Sequence, residues 1–220
     1  MSGKRLSVGV LISGRGSNLQ ALIDACADPA FPARIAVVVS NKADAYGLER
    51  ARLAGIATAV VDHKSYDTRE AFEAALDATL RSHEIELICL AGFMRILTSG
   101  FVHGWTERMI NIHPSLLPSF KGLHTHERTI ASGVRITGCT VHFVRPEMDD
   151  GPIIIQAAVP VLAGDDADSL GGRVLEQEHK IYPEALRLIA LSRVRVEGDV
   201  VVISAMGEDG RTLVNPPVGG

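Results

Sequence analysis

The stretch L-S-V-G-V-L-I-S-G-R-G-S-N-L-Q-A-L-I-D-A-C-A, residues 6–27, joins an apolar run to a glycine-rich turn and an amphipathic segment. Leu6–Ile12 predicts a buried strand, and Leu19–Ala27 carries apolar residues at helical spacing. Gly14 and Gly16 allow a tight turn between them. A strand, a turn and a helix in this order begin a crossover unit, which predicts a parallel sheet covered by helices.

The same alternation continues through the first half of the chain. Further strands are predicted at Ile35–Val39, Thr58–Val61 and Ile85–Ala91, and helices at Asp44–Ala54 and Thr68–Ser82. Because the strands are continuous apolar runs separated by helices, they fit a parallel sheet buried on both faces. The predicted fold is therefore α/β, with a Rossmann-like, doubly wound, mainly parallel sheet.

The pattern changes after a fifth strand near Arg108–Ile112. Ser115–His126 predicts a loop with a possible turn of helix, which Glu127–Ser132 could complete as a short helix. Thr137–Val144 and Ile153–Val161 are joined by R-P-E-M-D-D-G-P, and this arrangement predicts a hairpin with a wide loop. Antiparallel strands are thus expected in the C-terminal half.

A long helix is predicted at Ala167–Leu191, followed by a small hairpin whose strands are Val194–Val196 and Val200–Ile203. From Met206 onward glycine, proline and charged residues dominate, which predicts a loose tail. We therefore expect one domain over residues 1–195 and a hairpin with a tail over residues 196–220.

Composition excludes several classes of function. The 220 residues are 46% hydrophobic and 22% charged, and the net charge of −4 gives no electrostatic footprint for nucleic acid or an anionic membrane. No apolar run is long enough to span a bilayer, and the first residues do not resemble a secretory signal. Cys26, Cys89 and Cys139 are odd in number and far apart, which favours reduced thiols and a cytoplasmic protein.

The turn S-G-R-G-S-N, residues 13–18, is typical of a phosphate site. The first amides of the following helix are unpaired donors, Ser17 adds a hydroxyl and Asn18 an amide. The turn lacks both the six-position dinucleotide fingerprint and the lysine of a P-loop, so a single phosphate monoester fits it better than NAD or ATP. A glycine-rich turn that serves packing alone is the alternative.

A second candidate site lies in M-I-N-I-H-P-S-L-L-P, residues 109–118. Side chains alternate along a strand, so Asn111 and His113 share one face at the end of the fifth strand. Ligands of α/β proteins bind beyond the carboxyl ends of the strands, which favours a site here. Alternatively, the two residues only satisfy exposed backbone groups.

Asp149, in M-D-D-G-P, is the candidate acid–base partner. If its loop hangs over the same end of the sheet, the carboxylate lies close to His113 and favours the protonated imidazole. The alternative is a turn residue. The histidines at 113, 124, 126 and 142 have no convincing metal-ligand spacing, so no metal is predicted, and the chain has no nucleophile elbow.

Taken together, these motifs resemble the folate-dependent formyltransferase family, and within it the phosphoribosylglycinamide formyltransferases. The resemblance runs from near residue 6 to near residue 190 and rests on residues 11–21, 40–51, 90–97, 111–118, 122–126, 140–144, 149–154 and 177–183. The asparagine, histidine and D-x-G-P core is similar throughout the family, whereas G-R-G-S-N and S-N-K-A-D-A resemble the glycinamide ribonucleotide branch. S-F-K-G, residues 119–122, is similar to the deformylase and tRNA-enzyme branches.

The resemblance implies a role for each matching residue. Asn111, His113 and Asp149 would be catalytic, and Gly16, Ser17, Asn18 and Glu178 would bind the ribonucleotide. The folate-binding residues would be Arg69, Met94, Arg95, Ile96, Leu97, Asn111, Arg145, Pro146, Glu147, Met148 and Asp149.

The implied reaction transfers the formyl group of 10-formyltetrahydrofolate, as donor co-substrate, to the amine of N1-(5-phospho-D-ribosyl)glycinamide in purine synthesis. Small-molecule substrates and a monomer or homodimer are expected. A 10-formyltetrahydrofolate hydrolase, a formyltransferase for another amine and a binding module without turnover remain alternatives.

Overall fold

The computed structural model describes residues 4–204 and 215. Seven strands form the main sheet, six helices flank it, and two more strands form a separate hairpin. In chain order the elements are β1 Leu6–Ile12, α1 Ser17–Ala27, β2 Ala33–Ser40, α2 Tyr46–Leu53, β3 Ala57–Val60, α3 Arg69–Ser82, β4 Leu87–Leu90, α4 Ser99–Gly104, β5 Met109–His113, α5 Thr125–Ser132, β6 Ile136–Phe143, β7 Ile153–Pro160, α6 Ala167–Ala190, β8 Val194–Glu197 and β9 Val200–Ile203.

The strand order of the main sheet is β3-β2-β1-β4-β5-β6-β7. The first five strands are parallel, whereas β6 and β7 are antiparallel to their neighbours. This confirms the predicted fold class. Because the chain leaves β1 in one direction and returns at β4 on its other side, a crevice opens beyond the carboxyl ends of β1 and β4, where ligands bind in such sheets.

Apolar residues cover both faces of the sheet. On one face β1, β4 and β5 pack against apolar residues of α1 and α6, and on the other face against α3 and α4. The long helix α6 begins at a capping box in which Asp166 accepts from the Ser169 amide at 2.8 Å and Ser169 Oγ accepts from the Asp166 amide at 3.0 Å.

The Tyr182 hydroxyl connects α6 to β4 and β5, because it donates to the carbonyl oxygens of Leu90 at 2.9 Å and Ile110 at 3.3 Å.

Several local predictions differ from the structure, most of them by one or two residues at the ends of an element. The helix α4 was not predicted, and β5 ends at His113 rather than Ile112. The predicted hairpin is observed as β8 and β9, with β8 one residue longer than expected, while the division of the chain between residues 195 and 196 stays a prediction. The predicted tail lies outside the described residues except for Asn215, whose amide donates to the carbonyl oxygens of Arg135 and Val161. No described helix is long and apolar enough to cross a membrane.

Candidate active site

The end of β5 brings His113 to the loop between β6 and β7. Nδ1 of His113 lies 3.4 Å from an Asp149 carboxylate oxygen, and their side chains are only 6% and 12% exposed. The same oxygen accepts a hydrogen bond from the Gly122 amide at 2.8 Å. The structure thus places an imidazole and a carboxylate in direct contact, with both side chains largely buried.

Both ring nitrogens of His113 face acceptors. Nε2 lies 3.0 Å from the carbonyl oxygen of Phe120, while Nδ1 faces Asp149. A carbonyl and an ionised carboxylate accept hydrogen bonds but cannot donate them. Each ring nitrogen of His113 therefore has an oxygen acceptor within reach.

His142 orients the amide of Asn111, a contact that sequence reasoning missed. Its Nδ1 lies 2.8 Å from the Phe143 carbonyl and must donate there, so in the neutral ring Nε2 accepts from Asn111 Nδ2 at 3.3 Å. Burial lowers the pKa of His142, against the opposing influence of the Phe143 carbonyl and Asp149. His142 lies directly opposite Asn111 in the β5–β6 register, which is the signal that could have revealed it.

A cleft of about 530 Å³ opens beside these residues. It is lined by His113, His142 and ten of the eleven predicted folate-binding residues: Met94, Arg95, Ile96, Leu97, Asn111, Arg145, Pro146, Glu147, Met148 and Asp149. Met94, Ile96, Leu123 and Met148 line it while remaining 55–71% exposed. Apolar walls with a few polar groups suit a small organic ligand.

Arg69 is the predicted folate-binding residue that does not line this cleft. It is the exposed first residue of α3.

The predicted ribonucleotide-binding residues also come together. Asn18 Nδ2 donates to Glu178 Oε2 at 2.7 Å, although the two residues are 160 positions apart. The Asn18 side-chain oxygen is buried and has no hydrogen-bond partner among the described residues. Burial raises the pKa of Glu178, while the Asn18 hydrogen bond opposes this. A buried acceptor beside a carboxyl group suits the hydroxyl or amine groups of a ligand.

Gly16 determines the shape of the turn at residues 13–18, which we call the phosphate-type turn. This residue adopts φ 72°, and a Cβ built on it would lie 2.8 Å from the Cα of Gly47 at the start of α2. A Cβ at residue 16 would be too close to Gly47, and the positive φ is unfavourable for residues other than glycine. The amides of Ser17 and Asn18 follow directly at the N-terminus of α1, where an anion is favoured.

Two further residues hold the segment 92–97, which forms one wall of the cleft. Ser13 Oγ accepts from the Met94 amide at 2.8 Å, and Glu73 accepts from the Thr98 amide at 2.7 Å. Both residues are buried. Their contacts join residues far apart in the chain, so no local pattern indicates them.

Within residues 4–204 and 215, no group of three or more His, Cys, Asp or Glu side chains is arranged to hold a metal ion. His124 lies at the cleft, 76% exposed in its side chain, and His126 is half-buried behind it.

Comparison with known proteins shows the family to which the chain belongs. A model of the formyl transferase family, described as "Formyl transferase", matches residues 6–186, and the chain belongs to this family.

The chain is similar to several individual members of this family. The chain is 46% identical to the phosphoribosylglycinamide formyltransferase of Escherichia coli strain K12, over 97% of this chain and 98% of that protein. It is 51% identical over 94% of its length to the trifunctional purine biosynthetic protein adenosine-3 of Bos taurus, but spans only 20% of that protein. The solved structure of glycinamide ribonucleotide transformylase 1 from Symbiobacterium toebii matches with a TM-score of 0.89 and 50% identity, covering 91% of this chain and 95% of that one.

Proposed function

We propose that this protein transfers the formyl group of 10-formyltetrahydrofolate to the amine of N1-(5-phospho-D-ribosyl)glycinamide, a step in the synthesis of the purine nucleotide IMP. The observation that carries the proposal is the His113–Asp149 contact at 3.4 Å, which lies in a mainly apolar cleft. This cleft and the phosphate-type turn both lie beyond the carboxyl ends of the strands. The names of the relatives that match nearly the whole chain support the same reaction.

The reaction is a direct acyl transfer. The glycinamide nitrogen attacks the formyl carbon, and negative charge develops on the formyl oxygen. The amide of Asn111 and the imidazolium of His113 are suited to donate hydrogen bonds to this oxygen, each worth about 2.7–4 kcal/mol in comparable sites. Since Nε2 of His113 already bonds to the Phe120 carbonyl, the formyl oxygen must replace that carbonyl or share the proton with it.

Asp149 has two roles in this proposal. Its negative charge stabilises the imidazolium of His113, and it accepts the proton lost by the attacking amine, through a water molecule. When the carbon–nitrogen bond to the folate breaks, the departing N10 receives this proton from Asp149, so that tetrahydrofolate and the formylated amine are released and the carboxylate is restored. No covalent bond between enzyme and substrate is required, because positioning the two reactants supplies much of the rate.

The remaining assignments follow from this reaction. Gly16, Ser17 and Asn18 would hold the phosphate, Glu178 the ribose or glycinamide end, and the cleft the folate ring. Arg69 would meet the anionic tail of the folate beyond the cleft. We further propose that no metal takes part, that the substrates are small molecules, and that the protein acts in the cytoplasm as a monomer or homodimer.

The test is to follow tetrahydrofolate release from 10-formyltetrahydrofolate with and without glycinamide ribonucleotide. Release that depends on the ribonucleotide, together with formylated product, supports the proposal. Release without it would instead identify a hydrolase, and release only with a different amine would identify another acceptor. Binding of the folate without release of tetrahydrofolate would show that the protein is a binding module without turnover.

A further inference from the structure

Ser13 lies at the junction of the two proposed substrate sites. It follows β1 directly, is the first residue of the phosphate-type turn, and is only 5% exposed. Its hydroxyl donates to Asn41 Oδ1 at 2.5 Å and accepts from the Met94 amide at 2.8 Å, while its own amide donates to the Gly92 carbonyl at 3.1 Å. One buried residue thus joins the segments that follow β2 and β4 to the end of β1.

On the side of the ribonucleotide, Asn41 begins the segment that leads into α2. Asn41 is 2% exposed, and the first turn of α2 rests against the phosphate-type turn, because the Gly47 amide donates to the Gly14 carbonyl at 3.0 Å. Gly47 also packs directly against Gly16. A shift of the turn on binding a phosphate would therefore displace the segment that starts at Asn41.

On the side of the folate, Met94 belongs to the wall of the cleft. The segment 92–97 is fixed by Ser13 at its beginning and by the bond from the Thr98 amide to Glu73 at its end. Between these anchors the Met94 and Ile96 side chains are about two-thirds exposed, at 65% and 64%. The position of the segment 92–97 at the cleft thus depends directly on the Ser13 hydroxyl.

We propose that Ser13 and Asn41 are positioning residues that couple the two substrate sites, so that a bound ribonucleotide tightens the binding of the folate and the reverse. The proposal rests on the proposed function, since it requires both substrates. The Ser13 hydroxyl donates to Asn41 and accepts from the Met94 amide, and in this proposal it acts through these two residues rather than on the substrates. Its effect is therefore a coupling free energy, which by thermodynamic linkage must be equal in both directions.

The test measures the dissociation constant of glycinamide ribonucleotide by calorimetry, alone and with saturating tetrahydrofolate. In the wild type we expect tetrahydrofolate to tighten the ribonucleotide roughly fivefold or more, as is typical of coupled sites. Ser13→Ala should bring this ratio close to one. Ser7→Ala is the matched control, because Ser7 lies on β1, the strand that ends just before Ser13, is 3% exposed, and its hydroxyl has no hydrogen-bond partner among the described residues.

Asn41→Ala provides a second variant, since it leaves the bond between Ser13 and Met94 in place, and it should also reduce the ratio. A wild-type ratio of one, or an unchanged ratio in folded Ser13→Ala and Asn41→Ala, would overturn the coupling while leaving formyl transfer intact. Absence of ribonucleotide binding to the wild type would instead overturn the proposed function, and the coupling with it.

Discussion

Asp149 occupies a backbone conformation that few residues adopt. Its φ is 52°, in the left-handed region, where aspartate is better tolerated than most residues but still strained. The hydrogen bond from the Gly122 amide and the contact with His113 hold the carboxylate there. Strain maintained by surrounding contacts is typical of functional positions, and here it aims the carboxylate at the imidazole.

Replacing this carboxylate with an amide tests its charge with little change in shape. We expect Asp149→Asn to lower kcat by roughly 10²–10⁴-fold, the range for a lost acid–base group, and to change the KM for the ribonucleotide far less. Asp150→Asn is the matched control, since Asp150 is 54% exposed in its side chain and pairs with Lys121. Steady-state kinetics in both substrates decide the matter, and a kcat similar in both variants would exclude the assigned role.

The buried carboxyl of Glu178 predicts a pH dependence of stability. Burial raises its pKa in the folded protein, so the unfolded chain releases this proton first as pH rises. The wild type should therefore lose stability relative to Glu178→Gln between the ordinary carboxyl pKa and the raised value. Urea unfolding of both proteins across this range measures the difference. Glu176→Gln, at an exposed position of the same helix, should show no such trend, and a trend of opposite sign for Glu178→Gln would refute the argument.

At this scale, sequence reasoning predicted that His113 and Asp149 lie close together, which agrees with their contact at 3.4 Å. Asn111 and His113 could be named as candidates because they lie at the end of a strand, and Asp149 because it sits in a marked turn. His142 and Ser13 could not, since His142 depends on the register between β5 and β6 and Ser13 on contacts among three loops. Neither kind of information is present in local spacing.

Among the elements, the turn between β1 and α1 requires glycine at one position and only tolerates it at another. Gly16→Ala places a Cβ against Gly47 and forces a left-handed conformation costing about 1–2 kcal/mol, which corresponds to roughly a 5- to 30-fold rise in the KM for the ribonucleotide. A Cβ at Gly14 meets nothing within 4 Å, so Gly14→Ala should change this KM less than fivefold. Equal KM values in the two variants would remove the turn from the phosphate site.

The attachment of α6 to the sheet can be tested at Tyr182, which is fully buried. Tyr182→Phe removes the hydroxyl that donates to the Leu90 and Ile110 carbonyls, and we expect it to lower the free energy of unfolding by about 1–3 kcal/mol. Tyr66→Phe, at a half-buried position, should cost less. Urea denaturation measures both, and equal losses would mean that these hydrogen bonds do not hold α6.

Short elements were the hardest to predict. The helix α4 has only six residues and begins at the Thr98 cap, so it is too short for helical periodicity to appear in the sequence. Long, strongly patterned elements such as α3 and α6 were predicted within a few residues of their observed ends. The length of an element, more than its position in the chain, decided how well its pattern could be interpreted.

At the scale of the whole molecule, α6 connects the two halves of the sheet. It packs against β6 and β7, bonds through Tyr182 to β4 and β5, and contributes Glu178 to the phosphate-type turn after β1. The parallel half therefore forms the proposed ribonucleotide site only together with a helix that follows the antiparallel half. This dependence explains why residues 160 positions apart in the chain must fold together before the site exists.

Ligand binding should consequently stabilise the whole molecule in one step. Ribonucleotide at about 100 times its dissociation constant adds about 2.7 kcal/mol, or roughly 5–10 °C in Tm for a chain of this size. The single tryptophan, Trp105, is buried behind β5, outside the lining of the cleft, so its fluorescence reports on unfolding away from the ligand. We expect its transition to move with far-ultraviolet circular dichroism by the same amount, and less in Gly16→Ala. A shift in only one signal would show that the two halves unfold separately.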